Sequence, residues 1–326
     1  MSSKPQPWKA PLMLVLATAF WGISFPVMKA LTQTQQQLVP GCSSWFTASL
    51  CVTLRLGASA LIMLLVSLPT LRGMTRLEVW QGIGLGLFGT GGLLFQMDGL
   101  AYTAASTSAF LTQCYCLLIP LWLAVHERRA PSPRSSVACL LVVAGVAVLS
   151  EVDWRHLTLG RGEVETIIGS VLFTGQILWL QRPKYSANNV NHFTLVMFAV
   201  MALASLPVAC VTTPAPRDWL RAYSTGATIA FLAILVFSCT LGGYLLMNYW
   251  QPRVSATEAG LIYCAEPVFA SLFALFLPGW CSSWAGVQYA NETVTWTLLA
   301  GGGLITAANV LIQLRPPVEP PTVHHQ

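Results

Sequence analysis

Ser255-Ala256-Thr257-Glu258-Ala259-Gly260-Leu261 aligns with Ala105-Ser106-Thr107-Ser108-Ala109-Phe110-Leu111, 150 residues earlier. Each stretch opens an apolar run long enough to cross a bilayer, which takes about 20 residues. Each run carries an internal proline, Pro267 in one and Pro120 in the other. Working outward from this pair, the chain divides into ten apolar runs: 11–30, 46–69, 80–98, 104–124, 135–150, 164–180, 193–211, 226–247, 257–277 and 295–313. The matched runs are the fourth and the ninth, so each stands fourth in its own set of five. Because five is odd, the second set enters the membrane in the opposite sense. The expected fold is an all-α integral membrane protein of ten transmembrane helices, built as two inverted five-helix repeats. Residues 1–10 form an N-terminal segment, 11–150 the first repeat and 164–313 the second. The tail 314–326, with four prolines, reads as disordered.

Composition supports a membrane chain. Of 326 residues, 55% are hydrophobic and 9% charged, against about 25% charged in soluble domains. So few charges cannot coat a soluble core of this size. The net charge of +5 is not gathered into a Lys/Arg stripe, which argues against a nucleic-acid partner. The expected surroundings are the lipid bilayer, with the chain a monomer or homodimer. An Ala17-Thr18-Ala19 triplet mimics a signal-peptidase site, but the apolar run continues through Trp21 and Phe25 to Met28 and reads as an uncleaved first helix.

Loop charges set the direction. With the N-terminus inside, the inner segments hold Lys4, Lys9, Arg72, Arg76, Arg128, Arg129, Arg134, Arg182, Lys184, Arg253 and Arg315, eleven in all. The outer segments hold Arg155, Arg161, Arg217 and Arg221, four in all. This asymmetry favours ten spans with both termini cytoplasmic, in a cell (inner) membrane.

Several motifs then resemble a known family. Phe20-Trp21-Gly22-Ile23-Ser24-Phe25 with Lys29 is similar to the first-helix signature of EamA-type carriers in the drug/metabolite transporter superfamily. Ala109-Phe110-Leu111-Thr112 running to Ile119-Pro120-Leu121 and Glu127-Arg128 resembles the end of its first repeat. Ser255 to Ala259, running to Ala265-Glu266-Pro267-Val268-Phe269, resembles the matching part of its second. One departure stands out: the family places a Glu soon after the ninth helix, whereas here Leu277-Pro278-Gly279-Trp280 opens a longer loop and Glu292 is the candidate. The resemblance implies ten helices, a central cavity between the repeats, and movement of small metabolites.

Polar groups at membrane depth need a partner or a task. Glu266, near the middle of the ninth run, costs about 2.5–3.5 kcal/mol at that depth. Beside backbone freed by Pro267, its carboxyl could bind a proton, a cation or a substrate ammonium; the plainer reading is a hydrogen-bonded Glu that stabilises the break. Pro120 and Pro267 are both expected to break their helices. Arg55 could attract an anionic group or snorkel to the headgroups, as Lys29 is expected to do. Asp98 is expected to face water at the end of the third run. Trp21, Gln96, Gln113, Tyr115, Gln176, Trp179, Asn248 and Tyr263 could line a pocket, or serve interfacial belts and helix–helix hydrogen bonds. Gly82 and Gly86 give close-packing spacing rather than a phosphate loop. Asn291-Glu292-Thr293 reads as a cap for the tenth helix. Cys42 and Cys281 both lie in expected outer loops and could pair.

The expected function is a secondary transporter working by alternating access, in the export direction, for a neutral or zwitterionic metabolite such as an amino acid. Proton coupling is an option, and no cofactor is expected. An intramembrane enzyme would need catalytic groups converging at one depth, and the histidines, at 126, 156, 192, 324 and 325, lie at span ends, in loops or in the tail. A receptor or scaffold is the third alternative. Small multidrug exporters want an acid in the first helix, absent here, and sugar-phosphate carriers want several cavity cations, where only Arg55 qualifies.

Overall fold

The computed structural model describes residues 8–102, 108, 111–128, 132–149 and 160–313. Among them every regular element is helical. The first five are α1 (Lys9–Leu38), α2 (Ser44–Ser67), α3 (Arg76–Gly99), α4 (Tyr115–Glu127) and α5 (Pro133–Leu149). The next are α6 (Arg161–Leu180), α7 (Val190–Thr212) and the short α8 (Asp218–Arg221). Then α9 (Gly226–Ile234), a π-helical stretch (Leu235–Gly242) and α10 (Gly243–Trp250) run on as one rod. α11 (Ala256–Tyr263), α12 (Glu266–Ala274), α13 (Leu277–Ala285) and α14 (Trp296–Gln313) complete the chain.

Among the described residues five helices are long and apolar enough to cross a bilayer: Lys9–Leu38, Ser44–Ser67, Arg161–Leu180, Val190–Thr212 and Gly226–Arg253. Ala256–Ala274 with Leu277–Ala285 makes a sixth, bent by 57°. Tyr115–His126, Pro133–Val148 and Trp296–Leu311 are shorter apolar helices. α3 has the length, at 24 residues, but seven glycines dilute its apolar character. A helix lies in each of the ten expected runs. The first extends well past residue 30, to Leu38, and the ninth ends early, because α13 turns away from it.

Caps explain several boundaries. Thr75 accepts from the Glu78 backbone while Glu78 bonds back to Thr75, a capping box at the start of α3. Ser255 and Glu258 make the same box on α11, so part of the repeated motif is a helix start. Of its first copy, only Ser108 and Leu111 are among the described residues.

The proline expectations need one correction. Pro267 does sit at a break, just after Cys264–Ala265, where α11 gives way to α12. Pro120 does not; it lies inside α4. The carbonyl it leaves without an i→i−4 partner is that of Cys116, and the Cys139 thiol donates to it at 3.4 Å. A turn at Gln113–Cys114 instead stands just before α4.

α2 packs on α7, α3 on both α6 and α7, and α5 on α14. α1 packs on α10 and on α11–α12, and α4 packs on α6 and α11. Close approach needs glycine at the crossings. A Cβ on Gly82 would lie 2.5 Å from Val196 Cβ, and one on Gly86 2.7 Å from Val200 Cβ, so both glycines face α7 as the spacing implied.

The bundle has two polar ends. At one, His192 Nδ1 bonds Glu78 at 2.9 Å, Gln81 Oε1 accepts from the Asn188 amide, and the Gln181 amide donates to the carbonyls of Gln251 and Val254. Lys9 and Arg253 lie over the Trp250 ring at this same end. At the other, Arg161 donates to Asp98 at 2.6 Å and to Glu165 at 2.8 Å, and Asp98 also accepts from the Ser44 hydroxyl at 2.6 Å. Asp98 therefore does not face water: it is fully buried. Gly99 lets the end of α3 press against α6, 2.9 Å being all that a Cβ would have from the Gly162 carbonyl.

Two smaller expectations also change, for Asn291 and for the Cys42–Cys281 pair. Asn291 does not cap the tenth helix; its Oδ1 accepts from the Gly279 backbone, and Thr295 takes the cap by accepting from Leu298. Lys29 lies 5.5 Å from the Tyr289 ring centroid. Cys42 and Cys281 are both free thiols, Cys281 buried in α13.

A central cavity between opposed charges

Seven sequence-selected residues line one cavity of about 70 Å³: Trp21, Arg55, Gln96, Tyr115, Gln176, Tyr263 and Glu266. It lies where α1, α2, α3, α4, α6, α10 and the α11–α12 break converge.

Arg55 is 3% exposed. Its Nε donates to the Thr240 hydroxyl, and Nη1 lies 3.8 Å from Met28 Sδ. Thr240 stands in the π-helical stretch, a wide turn of the kind that gathers at functional sites. Among the described residues Arg55 has no carboxylate within 4 Å. A guanidinium is permanently charged, so this is a buried cation without a counter-ion.

Glu266 opens α12 as its first residue and keeps part of its surface open to the cavity. It too is in no ion pair among the described residues. Gln113, in the turn just before α4, stands beside the Glu266 carboxyl. Gln113 is 2% exposed, yet neither its amide nitrogen nor its oxygen completes a hydrogen bond of ordinary geometry. Buried polar groups left unpaired cost energy that a ligand can recover.

Aromatic rings form the apolar wall. Trp21 meets Tyr263 and Tyr244 edge-on, at centroid separations of 5.3 and 5.7 Å. Gly243 makes room for it, since a Cβ there would sit 2.3 Å from Trp21 Nε1. Tyr263 is held by its hydroxyl, which donates to Gln251 Oε1 at 2.9 Å. Gln96 donates to Thr112 at 3.2 Å, and Gln176 to the Leu85 carbonyl at 3.2 Å.

Two selected residues serve elsewhere. Trp179 donates to the Gln81 carbonyl and lies beneath Arg182, with Arg182 Cζ 3.9 Å from its centroid. Asn248 donates to Thr194 at 2.9 Å, tying α10 to α7. Sequence reasoning missed Ser24, Met28, Leu93, Thr112, Phe173, Ile177, Tyr244 and Met247 on the cavity wall. The signal was present in helical spacing: Ser24 and Met28 fall three and seven residues after Trp21, and Phe173 three before Gln176.

A deep cavity with isolated charges and no metal-ligand cluster among the described residues suits binding and release of a polar small molecule. Known proteins agree. Residues 8–151 match the EamA-like transporter family. An uncharacterized transporter of Archaeoglobus fulgidus is 25% identical over 309 residues, 94% of this chain and 86% of its own. Another, of Haemophilus influenzae, is 29% identical over 110 residues, 33% of this chain and 61% of its own. A crystal structure at 16% identity covers 94% of this chain and 96% of its own with a TM-score of 0.63, a likeness of fold. With that match in its first half and a transporter aligned along nearly its whole length, the chain is similar to EamA-like membrane transporters.

Proposed function

We propose that the protein is a secondary carrier of amino acids or similar small zwitterions, working by alternating access. One observation carries the reading: Arg55 and Glu266 line the same cavity without pairing with each other. A zwitterion offers each its complement, a carboxylate for the Arg55 guanidinium and an ammonium for the Glu266 carboxylate. Gln113 adds an amide beside Glu266, and Trp21, Tyr244 and Phe173 supply apolar surface for a substrate side chain. A singly charged solute would leave one of the two buried charges unmet, which disfavours it.

Alternating access rests on two inverted five-helix repeats. Exchanging each span with the one five places further on maps the principal contacts between the halves onto one another. The first span's contacts with the eighth and ninth correspond to the sixth's with the third and fourth; second–seventh, fifth–tenth and fourth–ninth map onto themselves. The breaks at Gln113–Cys114 and Cys264–Ala265 also repeat, at 151 residues, one more than the spacing of the motif. Loop charges favour cytoplasmic termini in an inner membrane, and export is the direction proposed. Glu266 is the group placed to carry a coupled proton.

Purified protein in liposomes, loaded with labelled neutral amino acids, tests the reading. Saturable efflux of chemically unchanged substrate is expected. Chemical conversion would favour an enzyme, and competition only by phosphorylated compounds would remove the zwitterion.

A further inference from the structure

At the end of the bundle that carries His192 and Glu78, four cations rest on aromatic rings. Arg182 lies 3.9 Å from the Trp179 centroid, Lys184 4.8 Å from Tyr185, Arg253 3.8 Å from Tyr249, and Lys9 5.6 Å from Trp250. Among the described residues none of the four has a carboxylate within 4 Å. Surface cations in a folded protein usually find acidic neighbours; here the aromatic faces hold them while their charge stays unneutralised.

The aromatic residues beneath two of these cations form one wall of a surface groove. Tyr249 and Trp250, under Arg253 and Lys9, belong to a lining that continues along α10 through Leu245 and Leu246. The start of α7, from Asn189 to Asn191, forms the facing wall, and the open groove has a volume of about 450 Å³. Arg253 is oriented by donating one Nη1 hydrogen to the Tyr249 carbonyl. Its remaining N–H groups are left for an anion. The order along the groove is cation, aromatic, aliphatic. It matches the order of a phospholipid from phosphate through the interface to an acyl chain, with Tyr and Trp at the depth such residues favour.

We propose that this groove binds an anionic phospholipid, with its phosphate between Lys9 and Arg253 and one acyl chain along Leu245 and Leu246. A free phosphate would use the cations and leave the apolar wall bare. A zwitterionic lipid would bring its own cation to a site that already has two. Anionic headgroups are the species that basic clusters at a membrane surface attract.

Native mass spectrometry of the full chain, titrated with phosphatidylglycerol and phosphatidylcholine of identical chains, tests this. Phosphatidylglycerol is expected to be retained about tenfold more strongly. Lys9→Ala with Arg253→Ala should abolish that preference, whereas Lys9→Arg with Arg253→Lys should keep it. Arg217→Ala with Arg221→Ala, exposed basic residues beyond the far end of α7 at the opposite end of the bundle, should leave it intact. Equal retention of the two lipids by the wild type would overturn the proposal. So would a preference that survives the double alanine variant, or inorganic phosphate displacing the lipid at equal concentration.

Discussion

Arg55 in α2 donates through Nε to the hydroxyl of Thr240 in the π-helical stretch between α9 and α10. This bond crosses from one half of the chain to the other and aims a buried cation at the cavity. The π-helical turn is what brings Thr240 to that position. Removing the hydroxyl while keeping the volume, Thr240→Val, leaves Arg55 charged but untethered. A hydrogen bond to a charged group is worth about 1.5–3 kcal/mol. The variant should therefore raise the half-saturating substrate concentration about 10- to 100-fold, with protein yield unchanged. Liposome flux at graded substrate concentration measures this; an unaltered affinity would show that Thr240 does not position Arg55.

Glu266→Gln keeps the shape and hydrogen-bonding capacity of the side chain and removes its charge. If the carboxylate receives a substrate ammonium or a coupled proton, transport should be lost while expression and thermal unfolding stay near wild type. A purely structural Glu266, holding the break before Pro267, would instead give a Gln variant with full flux. Gln113→Leu separates the neighbouring amide: its unpartnered polar atoms cost energy in the empty protein, so the variant should unfold at a higher temperature and bind substrate less well. Higher stability with unchanged binding would remove Gln113 from the site.

How far the sequence went depended on the kind of signal. Helix positions were legible because apolar run length is a one-dimensional property; the caps at Thr75 and Ser255 mark boundaries in the same way. Arg55 and Glu266 were legible because a charge at membrane depth is costly enough to stand out. Asp98 was misplaced because its burial depends on Arg161, 63 residues away, and on a glycine contact with α6. Pro120 was misread because Cys139, on another helix, meets the carbonyl it frees. Trp179 and Asn248 looked like pocket residues by type, and only packing shows that both hold helices together. Tyr244 and Met247, apolar among many apolar neighbours, needed the fold before they could be told apart.

Gly243 and Gly303 make a controlled comparison. A methyl group on Gly243 would meet Trp21 at 2.3 Å, whereas one on Gly303 would find nothing within 4 Å. Gly243→Ala should displace the Trp21 ring from Tyr263 and Tyr244, costing about 1–3 kcal/mol as overpacking does, and should weaken substrate binding. Gly303→Ala, in the middle of α14, should be neutral or slightly stabilising because alanine favours helix. Thermal unfolding with and without substrate reads both. Equal behaviour of the two variants would contradict the proposed role of Trp21 as cavity wall.

Asp98 and Arg161 join α3 to α6 at the end of the bundle opposite Lys9, and Ser44 brings in α2. Breaking a fully buried ion pair costs about 3–5 kcal/mol, but the Arg161 side chain is 48% exposed, so solvent screens it and the loss is smaller. Asp98→Asn retains acceptors for Arg161 and Ser44 while removing the charge, and should destabilise the protein by about 1–2 kcal/mol. Arg161→Gln should do the same, although it also releases Glu165 and the Tyr102 hydroxyl. Because the two changes remove one shared contact, the double variant should fall short of their sum by at least about 0.5 kcal/mol. Losses that simply add would mean that the pair does not act as a unit.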